Sequence, residues 1–413
     1  MEVKAGIPPL DPRTATRATI ALIALRVGYA YNWYDVGPAL PLIGSTFGVG
    51  PAAWGLLLAA FLVGAGLLQV PAGLLARRYG ARAVSLVGVG ILAVSGAACG
   101  AAPSFPVLLS LRLVAGVGAA LFFSPAIGLV ASLFPPGHRG VPVGVFSSAF
   151  SVGSALGIVI TALLIPPLGW RLSLVAGGLI LAVPAALSLA AVPRTVGAAP
   201  PRPVRTSSRL PAALRYRGVW AVGIAFIGLE GATFATGQFV VPWGESVEGW
   251  SIALAGVVGM MFVLPSIVGG PVGGRLAERH RNHRTQFLIA TLAGAGVLAL
   301  LPVAGLAVAI VVGTVFAFAY GVIYAVMYVL PHFWREVPSE EIPLAIGLLN
   351  SIQLAGGAGV SALFGVILAM TSYSVAWEAL VAMTLATLVA LLLLPPTPVA
   401  SVGPPVAEGS APP

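Results

Sequence analysis

Runs of about twenty apolar residues, separated by short breaks rich in Pro, Gly and polar residues, recur along almost the whole 413-residue chain. Roughly 20 mainly apolar residues cross about 30 Å of hydrocarbon as a helix. The runs predict transmembrane helices near 17–41, 54–76, 83–101, 105–131, 141–165, 170–192, 218–242, 253–275, 286–303, 305–331, 342–369 and 375–394. A water-soluble globule is excluded, because only 8% of residues are charged where about 25% is usual. Mean hydropathy of +1.01 says the same. The single cysteine, Cys99, permits no intramolecular disulfide. No cleavable leader is expected, since no short apolar core precedes the first long run.

The breaks orient the spans. Of 21 Lys and Arg, 18 fall in the N-terminal segment or in even-numbered loops. They include Arg77, Arg78, Arg82, Arg139, the six arginines of 193–217, and Arg275, Arg279, Arg281 and Arg284. Odd-numbered loops hold only Arg171. Cations concentrate on the cytoplasmic side of membrane proteins. The asymmetry therefore predicts a multi-pass protein of the cytoplasmic (inner) membrane with both termini in the cytoplasm. It also accounts for the formal charge of +9 without nucleic acid. The Pro- and Arg-rich stretch 193–217 reads as a linker between an N-terminal bundle, 1–192, and a C-terminal bundle, 218–394. Residues 395–413 read as a disordered tail.

The chain repeats itself at an offset of 201 residues. Pro41 falls on Pro242, Gly73–Arg78 on Gly274–Arg279, and Val141-Pro142-Val143 on Ile342-Pro343-Leu344. Each pair sits at the same topological place. Six helices per half keep both halves in one orientation, the parallel repeat whose substrate site lies near the midplane between the halves.

With these landmarks the chain resembles the major facilitator superfamily over residues 15–395. The resemblance implies an all-α membrane protein of twelve transmembrane helices in two pseudo-symmetric six-helix bundles. It further implies secondary transport by alternating access. The loop after the second span reads Gly73-Leu-Leu-Ala-Arg77-Arg78-Tyr-Gly80-Ala-Arg82, with Arg77 where the family has an acid. The second copy keeps Glu278. The resemblance makes Gly73, Arg78, Gly274, Glu278 and Arg279 candidate gating-loop residues that bond neighbouring helix ends. Arg112-Leu-Val-Ala-Gly116-Val-Gly118 resembles the family's fourth-helix motif, and Leu168-Gly169-Trp170-Arg171 its turn between helices 5 and 6. The antiporter motif of helix 5 is incomplete. Gly153-Ser-Ala-Leu-Gly157 is present, but Thr161-Ala162 replaces the later glycines, which counts against a drug/proton antiporter.

Ionisable residues inside the spans are costly and need a partner, a wet cavity or a function. In the first span, Arg26 lies roughly 4.5 Å to the cytoplasmic side of the midpoint and Asp35 roughly 9 Å to the other side. Arg112 shares the depth of Asp35 and has the opposite charge, so the two are expected to pair. The pair is either a fixed tie between helices 1 and 4 or the proton-coupling device. Nine residues at 100° put Arg26 and Asp35 on opposite faces of a straight helix. Arg26 shares its face with Tyr29 and Trp33, and Tyr29 maps by the repeat onto Glu230. The expected cavity therefore has Arg26, Tyr29 and Trp33 facing Glu230 and Phe234. An Arg26–Glu230 bridge with no ligand role is the competing expectation. Tyr320, Tyr324 and Tyr328 form one stripe in the tenth span, and Asn350 and Gln353 share a face of the eleventh.

The substrate-binding candidates are thus Arg26, Tyr29, Trp33, Glu230, Phe234, Tyr320, Tyr324, Asn350 and Gln353. The arginine near the midplane predicts a small organic or inorganic anion, carried with protons by symport. A drug or sugar facilitator or proton antiporter of the same fold and a non-transporting membrane sensor are the alternatives. No enzymatic constellation, nucleotide-binding loop, metal site or cofactor is expected. The expected partners are a small-molecule substrate, protons and the lipid bilayer, and the expected state is a monomer.

Overall fold

The computed structural model describes residues 11–135, 138–197, 214–279, 282–334, 337 and 341–393. The body of the expected linker, the expected tail and the side chain of Glu278 lie outside the described residues.

Among the described residues, twelve helical legs follow one another. They are α1 (Pro12–Tyr34, resuming as Leu40–Phe47), α2 (Pro51–Leu67 and Gln69–Tyr79), α3 (Ala81–Gly100), α4 (Phe105–Ser132), α5 (140–168), α6 (170–191), α7 (Arg217–Ser246), α8 (Ile252–Met261 and Ser266–Arg279), α9 (His283–Leu298), α10 (Leu306–Val329), α11 (Ile342–Met370) and α12 (Tyr373–Thr387). Among the described residues, nine helices are long and apolar enough to cross a membrane, or ten when bent α2 counts as one span. That figure takes α5 and α6 as one 51-residue stretch. At about 1.5 Å per residue such a helix would be far longer than the roughly 30 Å of hydrocarbon. Gly169, at φ 72° and ψ 165°, breaks it in two. Leg α1 also falls outside the figure, having Arg17 and Arg26 within it, but from Gly28 to Leu40 it is buried throughout. Its polar residues meet protein.

The first predicted span was continuous to residue 41, but α1 breaks at Asp35. Pro38 has no N–H for the carbonyl of Tyr34 and Pro41 none for that of Gly37, so the chain passes through a 3-10 turn at Gly37–Ala39. Leg α2, predicted as one span over 54–76, bends by 45° at Leu68.

The repeat is visible in the backbone. Pro51 and Ile252 start α2 and α8, and Phe105 and Leu306 start α4 and α10, each pair 201 residues apart. Gly48 and Gly249, again 201 apart, both hold φ 66°, a left-handed conformation that costs glycine nothing. The halves meet along α1/α7, α2/α11 and α5/α8. On the side away from the arginine-rich ends the approach is backbone-close. A Cβ at Gly37 would come 2.9 Å from the carbonyl oxygen of Gly237, and one at Gly55 2.8 Å from that of Ser361. Nearer the arginine-rich side the contacts are hydroxyl bonds, Ser351 Oγ to Gly66 O (3.1 Å) and Ser151 to Ser266 (2.7 Å).

Candidate functional site

Between the halves lies a cavity of about 30 Å³. Its walls are Arg26, Tyr29 and Trp33 of α1, Gln69 of α2, Phe123 of α4 and Phe150 of α5 from one half. Glu230 and Phe234 of α7, Tyr320 and Tyr324 of α10, and Asn350, Gln353 and Leu354 of α11 come from the other. Every substrate-binding candidate read from the sequence is brought to this one cavity. That volume holds about two waters, so the cavity is narrow.

Arg26 is the centre of the first wall. It is 3% exposed, and its Nε and Nη1 have no hydrogen-bond partner. The guanidinium carbon lies 4.5 Å from the ring centroid of Phe123, 4.6 Å from Tyr29, 4.8 Å from Phe150 and 5.5 Å from Phe146. Each ring face offers the cation roughly 0.5–2 kcal/mol. The phenylalanine faces offer no acceptor atom to an N–H, and each unsatisfied buried donor costs about 1–3 kcal/mol, more when charged. The cage holds the cation in place and leaves two donors for something else.

Glu230, also 3% exposed, accepts one bond, from Tyr320 Oη at 2.8 Å. No ion pair reaches it among the described residues. The expected Arg26–Glu230 bridge is therefore absent, although both side chains line the cavity. The aromatic cage draws the guanidinium toward α4 and α5, while Tyr320 holds the carboxyl toward α10. The tyrosine stripe is continuous, with centroids 5.6 and 4.8 Å apart along Tyr320, Tyr324 and Tyr328. Tyr324 and Tyr328 hydroxyls sit 3.2 Å apart, Tyr328 donates to Asn350 Oδ1 (2.9 Å), and Gln353 Nε2 donates to the same oxygen (2.5 Å). Asn350 and Gln353 thus tie α11 to α10 while lining the cavity. Gln353 Oε1 has no donor.

Asp35 and Arg112 lie outside the cavity, as their half-turn from Arg26 requires. Arg112 Nη1 stands 3.4 Å from Asp35 Oδ1 and donates to Asn32 O at 3.2 Å, with both side chains 1% exposed. Its carbon lies 4.6 Å over the ring of Phe61, and its Nε and Nη2 have no partner. The pair joins the break in α1 to α4.

Residues 22–334 match the family model described as Major Facilitator Superfamily. The chain belongs to the major facilitator superfamily. Among curated relatives it is 29% identical over 360 residues to an uncharacterised MFS-type transporter of Mycobacterium tuberculosis (strain CDC 1551 / Oshkosh), covering 83% of this chain and 76% of that one. It is 32% identical to the multidrug resistance protein Stp of the same organism, over 37% of this chain and 29% of that one. It is 31% identical to a gallate transporter of Pseudomonas putida, over 36% and 34%. The chain thus spans under a third of the length of the first curated relatives it matches. Solved structures share the fold. A D-xylose-proton symporter superposes at a TM-score of 0.75, with 16% identity, 92% of this chain and 98% of that one. An inward-facing bacterial homologue of the human lysosomal transporter Spinster gives 0.71 with 20% identity, 93% and 96%.

The two loops that follow α2 and α8 make these contacts. A Cβ at Gly73 or at Gly274 would meet nothing within 4 Å, so close packing does not require glycine there. Arg78 lies 5.2 Å over Tyr79, its own neighbour, and neither Arg78 nor Arg279 makes a side-chain bond to another helix among the described residues. The tie falls to Arg82, whose Nε and Nη2 donate to the carbonyls of Val192 and Leu189 at the end of α6 (3.0 and 2.9 Å). In the second half His283, 201 residues on, bonds Ala277 O at the end of α8 (2.9 Å). Motif glycines of α5 have a packing reason: a Cβ at Gly153 would collide with Val27 O, and at Gly157 with Tyr31 O. Where the superfamily motif would continue with glycine, the Thr161 hydroxyl meets Tyr31 Oη at 2.9 Å.

Of the cavity residues the sequence reading missed, Phe123 had a signal, since it maps by the repeat onto Tyr324. Phe150 stands four residues from Phe146 on one face of α5. Gln69 was a lone polar residue in an apolar span. Leu354 carried no signal.

Proposed function

We propose that this superfamily member is a secondary transporter that carries a small organic anion together with a proton through the Arg26 cavity. The observation that carries this reading is the buried Arg26, which lines the cavity, is caged by rings and is left with two unsatisfied donors. A guanidinium keeps its charge in proteins, whereas a carboxyl can take a proton. With Glu230 ionised the cavity is neutral overall. With Glu230 protonated it is +1, and a monoanion restores neutrality. Proton and anion therefore favour each other's binding, and the pair crosses with no net charge. Asp35 is assigned the conformational step, because its protonation would release Arg112 and loosen the broken α1 from α4.

The cation asymmetry supports a cytoplasmic-membrane location with the arginine-rich ends and both termini inside. The protein acts as a monomer and as a carrier, with no chemistry on its solute. A gallate transporter among the relatives supports an organic anion.

Drug export is the second reading. It is favoured by the relative Stp and by Glu230, an acid facing the cavity without a cation partner, which a cationic drug would suit. Purified protein in proteoliposomes separates the two. An inward pH gradient should drive accumulation of the anion, and a membrane potential alone should not. Potential-driven uptake of an organic cation would replace the anion reading with the drug reading.

A further inference from the structure

We propose that the cavity selects a planar aromatic monocarboxylate, a conclusion that rests on the anion reading above and names its substrate class. A bare inorganic oxyanion would pair with the Arg26 guanidinium and leave the rest of the site without purpose. Two further buried polar atoms, Trp33 Nε1 and Gln353 Oε1, lie in the cavity walls with no partner. The surfaces between these polar points are π faces. The rings of Trp33 and Phe234, one from each half, are nearly parallel, 20° between planes and 5.8 Å between centroids. Phe150 stands edge-on to Trp33, 85° between planes and 5.3 Å apart. Small apolar side chains would form an equally dry wall for an aliphatic acid. Rings set parallel and edge-on instead reward a flat ring, because quadrupoles favour offset-stacked and T-shaped neighbours at such separations.

The geometry gives the solute one orientation. Its carboxylate meets the guanidinium of Arg26, held in place by the ring cage. Its ring meets the stack where the two halves touch, and parting Trp33 from Phe234 makes room for it beside a cavity of about 30 Å³. A thin ring enters with the least separation of the halves. No bond is made or broken in this step.

The test is binding to the purified full-length protein, read by thermal stability and by quenching of Trp33 fluorescence, with Trp33→Phe identifying that signal. The probes are benzoate, cyclohexanecarboxylate, nitrate, benzyl alcohol and benzylammonium. Benzoate should bind roughly 3- to 10-fold tighter than cyclohexanecarboxylate, the worth of ring–ring geometry beyond area. Nitrate should be weaker than both. Phe150→Leu should move the ratio of the two acids toward one, and Phe234→Leu provides the same reading if the first variant does not fold. Equal or tighter binding of cyclohexanecarboxylate overturns the aromatic proposal and leaves the anion reading standing. Tightest binding of benzylammonium or benzyl alcohol overturns both, and failure of every probe to bind overturns the aromatic proposal.

Discussion

Separating Asp35 from Arg112 should cost far more than either side chain's size suggests. At 3.4 Å and an effective dielectric near 20, the attraction is about 5 kcal/mol. Removing one partner from a buried pair typically costs roughly 3–5 kcal/mol, because the other charge stays in low dielectric. Asp35→Asn leaves Arg112 with only the Asn32 carbonyl and the face of Phe61. Arg112→Gln leaves Asp35 without a cation. With unfolding entropy scaling at about 2.1 cal/mol/K per residue, 4 kcal/mol lowers Tm by on the order of 5 °C. The double variant removes both charges and should regain most of that loss. The singles should also differ with pH. Acid can neutralise the lone Asp35 in Arg112→Gln, so its deficit should shrink as pH falls. Nothing neutralises Arg112 in Asp35→Asn, so that deficit should persist. The assay is thermal unfolding of the wild type, both singles and the double across pH. Losses that simply add in the double, or acid rescue of Asp35→Asn, would refute the reasoning. Proton-driven uptake that survives in the double would make the pair structural and leave coupling to Glu230 alone.

Arg26→Lys should fold but bind the anion about 10- to 100-fold more weakly, since an ammonium cannot replace two guanidinium bonds, and Arg26→Ala should abolish binding. Because no bridge joins the two, Glu230→Ala should not rescue Arg26→Ala; restored uptake in that double would show they are a silent pair. Glu230→Gln can still accept from Tyr320, so it should bind the anion independently of pH and lose accumulation under a pH gradient; retained accumulation would remove Glu230 from the coupling. A cysteine placed in loop 193–217 should resist an impermeant thiol reagent in intact cells, while one at exposed Ser246 should react, with buried Cys99 giving little background. The reverse pattern would invert the topology.

The sequence made the spans and the cavity legible for different reasons. Spans follow from length and hydropathy, which depend on the bilayer and not on tertiary contacts. The cavity followed from buried polar residues and from the repeat, which carried Tyr29 onto Glu230 and Trp33 onto Phe234. The departures came where a local or a long-range contact decides. Depth and azimuth placed Arg26 and Glu230 around one space but could not show that four rings would hold one and a tyrosine the other. The break at Asp35 was encoded by Pro38 and Pro41, yet a window read for hydropathy passes over it. The loop glycines Gly73 and Gly274 were read by resemblance. The bond they were expected to serve is made by Arg82, whose reach to the end of α6 crosses more than a hundred residues.

The repeat also shows which features duplication did not supply. Phe61 and Phe262 occupy equivalent places, 201 residues apart. In the first half the guanidinium of Arg112 covers the Phe61 ring. In the second, the position equivalent to Arg112 is Gly313, and the Phe262 ring packs against its backbone, 2.7 Å from where a Cβ would stand. Asp35 likewise corresponds to Thr236, whose hydroxyl turns back to Ala232 O within its own helix (2.8 Å). Arg26 corresponds to Ile227. One half therefore holds both buried arginines and Asp35, and the other holds Glu230 and the tyrosine stripe. Were the ion pair a generic requirement for packing a six-helix bundle, the second half would need its own, and it packs the same aromatic ring against glycine instead. On the proposed reading the charges mark what the two halves do differently, with anion capture and the α1 clamp assigned to one half and the titrating counter-charge to the other.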